Sequence, residues 1–122
     1  MSFDWKEYLN LAKELAKSND EARLRSAISR AYYSVFCKAK SLFGDKIQLT
    51  RKSIDHRLIS EYLKAQDNEN LKKLGVYLER LRVDRNRADY DDEFPNLTNQ
   101  AEIDLLMAQK AYKILEIYEI VQ

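Results

Sequence analysis

One long segment rich in apolar and aromatic residues, residues 20–43, organises the fold of this chain. It reads DEARLRSAISRAYYSVFCKAKSLF. When these residues are wound as an α-helix, apolar or aromatic side chains cover most of its circumference. Such a helix is favourable only where other helices surround it. It would be about 35 Å long, and Gly44 follows it as a natural stop. We therefore predict a central, largely buried helix.

Four further helices are predicted around it, at about residues 3–17, 54–65, 69–90 and 99–120. Capping-box spacing favours helix starts at Ser18 with Glu21 and at Asn99 with Glu102. Ser53 is a candidate cap for the third helix. Because the connections are short, consecutive helices should pack antiparallel. The pattern predicts one all-α domain over residues 1–122, an up-and-down bundle of four or five helices.

The composition excludes most other classes of protein. The 122 residues include two glycines and one proline, and sheet proteins need many such residues in their turns. The net charge of +1 means that any nucleic-acid contact must come from a local patch. A lone cysteine, Cys37, cannot form an internal disulfide. Without a signal peptide or an apolar run near 18 residues, the chain is expected to be cytoplasmic and free of membrane contact.

The fourth helix carries a charged residue where its core-facing row should stay apolar. Alternating steps of three and four residues define this row as Leu71, Leu74, Leu78, Leu81, Arg85 and Ala88. A buried guanidinium without a partner is costly, so Arg85 must find a carboxylate, a partner chain or an anion. Two interpretations stay open: a helix end laced with ion pairs from which Arg85 extends to solvent, or a phosphate site.

Asn86 and Tyr90 follow Arg85 on a different part of the helix surface. They are four residues apart and share one face. Arg85 and Tyr90 are about 140° apart on a straight helix. The two side chains can therefore serve one site only if the helix unwinds near Asp89, or if two copies of the chain meet there.

Two segments resemble the signature sequences of HEPN domains. One is residues 29–36, SRAYYSVF, and the other is residues 85–91, RNRADYD. They lie on the second and fourth predicted helices, and the order of elements is similar to that of the family over essentially the whole chain. Together the two segments are a fairly specific sign of the family, although each alone is weak.

The resemblance implies a small helical bundle that pairs as a homodimer. Many HEPN proteins belong to toxin–antitoxin or antiviral defence modules, and many are metal-independent RNases. In these enzymes the ribose 2′-hydroxyl attacks the adjacent phosphodiester in a cleft shared by two protomers. Some members are silenced by a nucleotidyltransferase, encoded beside them, which adds AMP to a tyrosine. Such an enzyme is therefore a candidate partner protein.

The resemblance also assigns roles to residues. Arg85 matches the motif arginine, Asn86 the polar residue after it, and Tyr90 takes the place of the motif histidine. A phenol with a pKa near 10 is a weak general base at neutral pH. The candidate catalytic residues are therefore Arg85, Asn86 and Tyr90, and the candidate ligand-binding residues are Arg30, Tyr33, Arg87 and Asp89.

Several alternatives remain open at this point. The chain is either an RNase or RNA- or nucleotide-binding protein of a defence module, or a non-catalytic dimeric module that binds a partner protein or nucleotide. A plain structural bundle would leave Arg85 to be explained by ion pairing alone. Arg30 is either a structural arginine paired with a carboxylate or a second cation beside Arg85.

The single histidine, His56, has two interpretations as well. It is either an exposed or capping residue at the start of the third helix, or a replacement for the missing motif base. One histidine among scattered carboxylates lacks metal-ligand spacing, so we expect no metal and no other cofactor.

Overall fold

The computed structural model describes residues 2–121, and within that range the chain is an all-helical bundle, as the sequence predicts. Its elements are α1 (Lys6–Leu15), α2 (Glu21–Phe43), a short 3-10 turn (Gly44–Lys46), α3 (Ile54–Lys64), α4 (Glu69–Tyr90) and α5 (Leu97–Val121). Among these residues, no helix has the length and apolar character needed to cross a membrane.

The long helix α2 lies at the centre of the bundle. It packs against α1, α4 and α5, and its side chains Tyr32, Val35 and Phe43 are buried in the main hydrophobic core. The core is completed by leucines from α4 and α5, including Leu74 and Leu115. This burial explains why α2 is apolar around most of its circumference.

Helix α3 lies against α4 and touches α2 only lightly. A glycine allows the close approach: a Cβ at Gly75 would lie 2.6 Å from Lys64 Cγ and 2.8 Å from the backbone oxygen of Ser60. The backbones of α3 and α4 are therefore in near contact, which no side chain at position 75 would permit without movement.

Helix α4 carries two rows with the same alternating spacing. The inner row, defined above, is buried along its whole length and includes Arg85. The outer row is exposed and consists of Val76, Glu79, Val83, Asn86 and Tyr90. The helix continues without interruption to Tyr90. It therefore does not unwind near Asp89, and within one chain Arg85 and Tyr90 lie on different faces.

The predicted capping residues are wrong, although α2 and α3 begin close to where the sequence predicts. The N-cap of α2 is Asp20 rather than Ser18, and its carboxylate accepts a hydrogen bond from the Arg23 N–H at 3.2 Å. Ser53 makes no capping hydrogen bond through its side chain. Helix α5 begins at Leu97, so Asn99 lies inside it.

Candidate functional site

The motif arginine is buried between α2 and α4. Arg85 is 8% exposed, and its guanidinium carbon lies 5.3 Å from the ring centroid of Tyr33 and 5.7 Å from that of Tyr32. Its charged partner is Asp89, one turn further along α4, at 3.5 Å. The interpretation in which Arg85 extends to solvent is therefore wrong. Aromatic rings and one carboxylate hold the charge instead.

Four of the predicted residues form one connected group around this arginine. Asp89 accepts hydrogen bonds from Arg85 and, at 3.3 Å, from the Ser29 hydroxyl of α2. The guanidinium of Arg30 lies 5.4 Å from the same Tyr33 ring that Arg85 approaches. Arg30 also lies 4.7 Å from the ring of Tyr8. Within residues 2–121 Arg30 forms no ion pair, so its predicted carboxylate partner is replaced by aromatic rings.

Two arginines of α4 keep unused hydrogen-bond donors. In the described part of the chain, Arg82 Nε and Arg85 Nε are buried without a hydrogen-bond partner. An arginine cannot escape this cost by losing its proton, because its pKa lies far above neutral. The guanidinium groups of Arg82 and Arg85 therefore leave a fixed positive charge on the side of α4 that faces α2 and α3.

His56 of α3 lies within this positive environment. Its ring stacks on Phe36, with centroids 4.2 Å apart, and its Nδ1 forms a hydrogen bond with the Tyr32 hydroxyl. Burial, followed by the charges of Arg82 and Arg85, lowers the pKa of His56 to about 4. The imidazole is therefore neutral at pH 7. The expectation of an exposed or capping histidine is wrong.

The hydrogen bond to Tyr32 also indicates which ring nitrogen carries the proton. Burial raises the pKa of the Tyr32 hydroxyl, so this group stays protonated. It has no other acceptor within residues 2–121, and an unused buried donor is costly. The hydroxyl therefore donates to Nδ1 of His56, and the imidazole proton lies on Nε2. His56 thus offers an N–H donor rather than a free base.

A cleft of about 340 Å³ opens between α3 and α4 beside this histidine. We call it the motif cleft, because Asn86 lines it together with His56 and Arg82. Its two carboxylates already have cationic partners: Glu61 pairs with Arg57 and Glu79 pairs with Lys64. Arg82 forms no ion pair in the described part of the chain. The cleft therefore presents amide and N–H donors with one uncompensated positive charge.

Two predicted residues lie elsewhere. Tyr90 is 75% exposed at the end of α4. Arg87 faces α5 rather than α2: it pairs with Asp84 at 3.5 Å and lies 4.1 Å above the Phe94 ring. The structure therefore brings together Arg85, Arg30, Tyr33 and Asp89, places Asn86 at the rim of the adjacent cleft, and leaves Arg87 and Tyr90 outside it.

Sequence reasoning missed Arg82 and Tyr32 as site residues, and it gave His56 only as an alternative. Arg82 precedes Asn86 by four residues and so shares its face, which is a signal that the sequence did contain. Tyr32 lies in the hydrophobic core, as its position on the buried helix α2 suggests. The contact between its hydroxyl and His56 depends on how closely α3 approaches, and no local pattern reports that distance.

Three comparisons with known proteins bear on identity. A family model of the HEPN domain matches residues 6–121, nearly the whole chain. No curated protein matched in a second comparison, and no solved structure matched in a third.

Proposed function

This chain belongs to the HEPN domain family, a family of helical domains related to nucleotide and RNA chemistry, and on that premise we propose that it binds phosphate groups of RNA or of a nucleotide in the motif cleft. One observation carries this proposal. Both carboxylates of the cleft are paired, whereas Arg82 has no counter-charge and retains a buried donor beside Asn86 and His56. A phosphate accepts hydrogen bonds from all three.

We assign Arg85 an electrostatic role in this site, without contact to the phosphate. Since its guanidinium is buried against Tyr32 and Tyr33, it does not line the cleft. Its positive charge nevertheless reaches His56 and contributes to the lowered pKa of that residue. We assign Arg85 the role of keeping His56 neutral and adding to the positive potential, while Arg82, Asn86 and His56 contact the phosphate.

The proposed assembly is a homodimer in which the outer row of α4 meets its copy. Val83 is 59% exposed, and Val76 and Tyr90 are also exposed on that row. The alternating spacing of the row suits packing against a second helix, and Asn86 on it would bring two motif clefts to one seam. Sedimentation equilibrium tests this pairing: the wild type is expected to be a dimer and Val83→Glu a monomer. A wild-type monomer would contradict it.

The biological setting we propose is a toxin–antitoxin or antiviral defence module with a nucleotidyltransferase partner. Its support comes from family membership and from Tyr90. This tyrosine replaces the motif histidine and is 75% exposed at a helix end of the single chain, where an enzyme can reach its hydroxyl before two copies pair. A tyrosine so placed suits a modification target better than a buried proton-transfer group.

A second candidate function, metal-independent RNA cleavage, is favoured by the imidazole of His56 in the motif cleft. Attack of a ribose 2′-hydroxyl on phosphorus forms a cyclic phosphate and releases the 5′-oxygen, which must gain a proton. The protonated form of His56 can supply that proton from Nε2 and return to the neutral imidazole, and because the pKa is about 4 this form is a minor species at pH 7. The proton of the 2′-hydroxyl needs a separate acceptor, for which the cleft offers the carboxylates Glu61 and Glu79.

One set of assays tests binding and cleavage together, with a fluorescent single-stranded RNA in metal-free buffer. The wild type is expected to bind, and Arg82→Ala to weaken binding about tenfold, because one charge-assisted contact is lost. Arg80→Ala is the matched control, since Arg80 is exposed on the same helix but lies outside the cleft. Equal weakening by both variants would contradict the proposed site.

Cleavage is read from the same samples on a gel. Activity that is present in wild type and absent in His56→Gln would support the RNase candidate. Cleavage that is equal in wild type and both His56→Gln and Arg82→Ala would come from a contaminating nuclease and would exclude it. Binding without cleavage would leave phosphate binding as the function.

A further inference from the structure

A second cleft lies at the corner where the chain passes from α2 to α3. It has a volume of about 480 Å³, and we call it the corner cleft. Lys40 of α2 lines it together with Arg51 and Lys52 of the connecting loop. Behind these cations are the stacked rings of Phe36 and His56.

The loop that carries two of these cations is held in place by one buried carboxylate. Asp55 is 4% exposed. It accepts hydrogen bonds from the backbone N–H of Thr50 at 2.8 Å, the Thr50 hydroxyl at 2.8 Å and the backbone N–H of Arg51 at 2.7 Å. Burial opposes the ionised form, but these hydrogen bonds outweigh it and lower the pKa of Asp55. The carboxylate is therefore charged and fully occupied by the loop.

The same contacts hold Arg51 in an unusual backbone conformation. Its φ is 64°, which lies in the left-handed region that residues with side chains seldom adopt. A conformation of this kind persists only where the surroundings enforce it, and here Asp55 enforces it through the adjacent N–H groups. The loop is thus fixed before any ligand arrives, with Arg51 and Lys52 beside Lys40.

The three cations of the corner cleft outnumber its one carboxylate. Within residues 2–121, Lys40, Arg51 and Lys52 form no ion pair, and Asp55, which also lines the cleft, is charged but has its oxygens occupied by the loop. On a chain with a net charge of +1, a convergence of three unpaired cations is a local feature rather than a general excess. It suits a ligand that carries a negative charge and remains partly hydrated.

The corner cleft and the motif cleft are adjacent, since His56 lines both of them. A smaller cavity is lined by Ser53 of the corner cleft and by Arg57 of the motif cleft. A chain-like ligand can therefore pass around the first turn of α3 without leaving a surface rich in donors.

We propose that the corner cleft is a second phosphate subsite, which takes the next phosphate of a single-stranded phosphodiester chain whose first phosphate lies in the motif cleft. This inference rests on the proposed function of the motif cleft. It specifies that the ligand is a strand with consecutive phosphates and that Lys40, Arg51 and Lys52 contact its backbone. Contacts of this kind depend strongly on salt and little on base sequence.

The test compares two triple variants that remove the same charge. K40Q/R51Q/K52Q empties the corner cleft of cations. K73Q/K110Q/K113Q removes three lysines from a groove between α4 and α5 that shares no residue with either cleft. Binding of a fluorescent oligouridylate is measured for both variants and for wild type between about 50 and 200 mM salt.

The corner variant is expected to lose more than tenfold in affinity at the lowest salt. Its slope of log affinity against log salt should also be shallower by about 2, since each lost contact to a single strand contributes about 0.7. The groove variant should bind like wild type. Equal losses in both triple variants, or an unchanged corner variant, would overturn the subsite.

Failure of the subsite and failure of the proposed function give different results. An unchanged corner variant, together with weakened Arg82→Ala, removes the subsite and leaves the motif cleft in place. An NMR titration with inorganic pyrophosphate provides an independent measurement: amide shifts at residues 50–53 and His56 are expected. Absence of those shifts, with no oligouridylate binding by wild type, would overturn both proposals.

Discussion

Buried charge occurs on two sides of α4, and the two sides handle it differently. Facing α2 and α3 is the cationic cluster, which consists of Arg82 and Arg85 with Tyr32, Tyr33 and His56. Facing α5 is the acidic cluster, which consists of Asp84, Asp104 and Gln100. Asp84 and Arg85 are neighbours in sequence, so the difference arises from what each side packs against.

In the acidic cluster a proton removes the charge of Asp104, while the charge of Asp84 is paired with Arg87. Asp104 is 0% exposed. Gln100 Nε2 donates to Asp84 at 2.9 Å and to Asp104 at 3.1 Å. Burial first, and then the neighbouring Asp84, raise the pKa of Asp104 to about 8. Asp104 Oδ2 has no donor within residues 2–121, as expected if that oxygen carries the proton shared with Asp84.

In the cationic cluster the charge stays. A guanidinium does not lose its proton in the ordinary pH range. Burial, and after it the charges of Arg82 and Arg85, keep the neighbouring His56 neutral. The contrast shows that a buried carboxyl pair can be neutralised by one proton and one cationic partner, whereas buried arginines leave a permanent positive potential. That potential is the physical basis of the proposed phosphate site.

Gly75→Ala should have the largest effect on the free energy of unfolding. It should disrupt the cationic cluster and leave the acidic cluster intact. The added Cβ would collide with Lys64 and with the backbone of Ser60. Overpacking should lower the free energy of unfolding by about 2 kcal/mol despite the better helix propensity of alanine. As α3 moves away from α4, the pKa of His56 should rise towards 6.5 while that of Asp104 stays high. Chemical denaturation and NMR titration measure these changes.

Gly44→Ala is the matched control for that substitution. A Cβ at Gly44 would lie 3.2 Å from the flexible end of the Leu49 side chain and would meet no backbone atom nearby. Its free energy of unfolding should therefore be close to that of the wild type. A similar loss in both variants would show that glycine replacement, rather than the α3–α4 contact, causes the effect.

Asp104→Asn tests the acidic side with a smaller expected effect. Because the folded pKa of Asp104, about 8, lies above its ordinary value of 3.8, the folded state holds a proton that the unfolded state releases. The contribution of Asp104 to wild-type stability should therefore fall as pH rises from about 4 to 8. Asparagine keeps a donor towards Asp84 without that charge, so the variant should be more stable than the wild type near pH 9.

The measurement is the free energy of unfolding across this pH range for both proteins. The two curves should converge at low pH, where Asp104 is protonated in folded and unfolded wild type alike. Parallel curves would mean that Asp104 does not retain its proton in the folded state. The proposed difference between the acidic and cationic clusters would then be wrong for the acidic cluster.

The sequence predicted the regular parts of this molecule well. The limits of α4, at Glu69 and Tyr90, and the position of Arg85 on its inner row are confirmed. These features follow from periodicity within a single helix, which the sequence records directly. The start of α5 was wrong because the chain turns at Asn96, which takes a left-handed backbone conformation with φ of 57°.

The candidate site was harder to predict because it depends on contacts between helices. Arg85 was singled out by its position on an apolar row, and Asn86 and Asp89 by the family resemblance. His56 and Arg82 meet only because Gly75 lets α3 approach α4 closely. In the sequence alone, Gly75 indicates only a residue of low helix propensity. Its role in the contact between α3 and α4 becomes clear only when the neighbouring backbone is known.

The smallest expected effect is a change in the pKa of His56, and it is the most direct test of the comparison between the cationic and acidic clusters. Its folded pKa of about 4 lies below the ordinary 6.5, so the unfolded state binds a proton first as pH falls. The contribution of His56 to the free energy of unfolding should therefore decline from about pH 6.5 down to 4, opposite in sign to the contribution of Asp104.

Replacing Arg82 by Met, which keeps the apolar stem but removes the charge, should raise the His56 pKa by less than one unit. Arg80→Met, at an exposed position on the same helix, should leave it unchanged. NMR titration of the single histidine measures both variants. If Arg82→Met left the pKa at about 4, burial and the remaining cations would hold His56 neutral, and the positive potential proposed for phosphate binding would have no measurable source at Arg82.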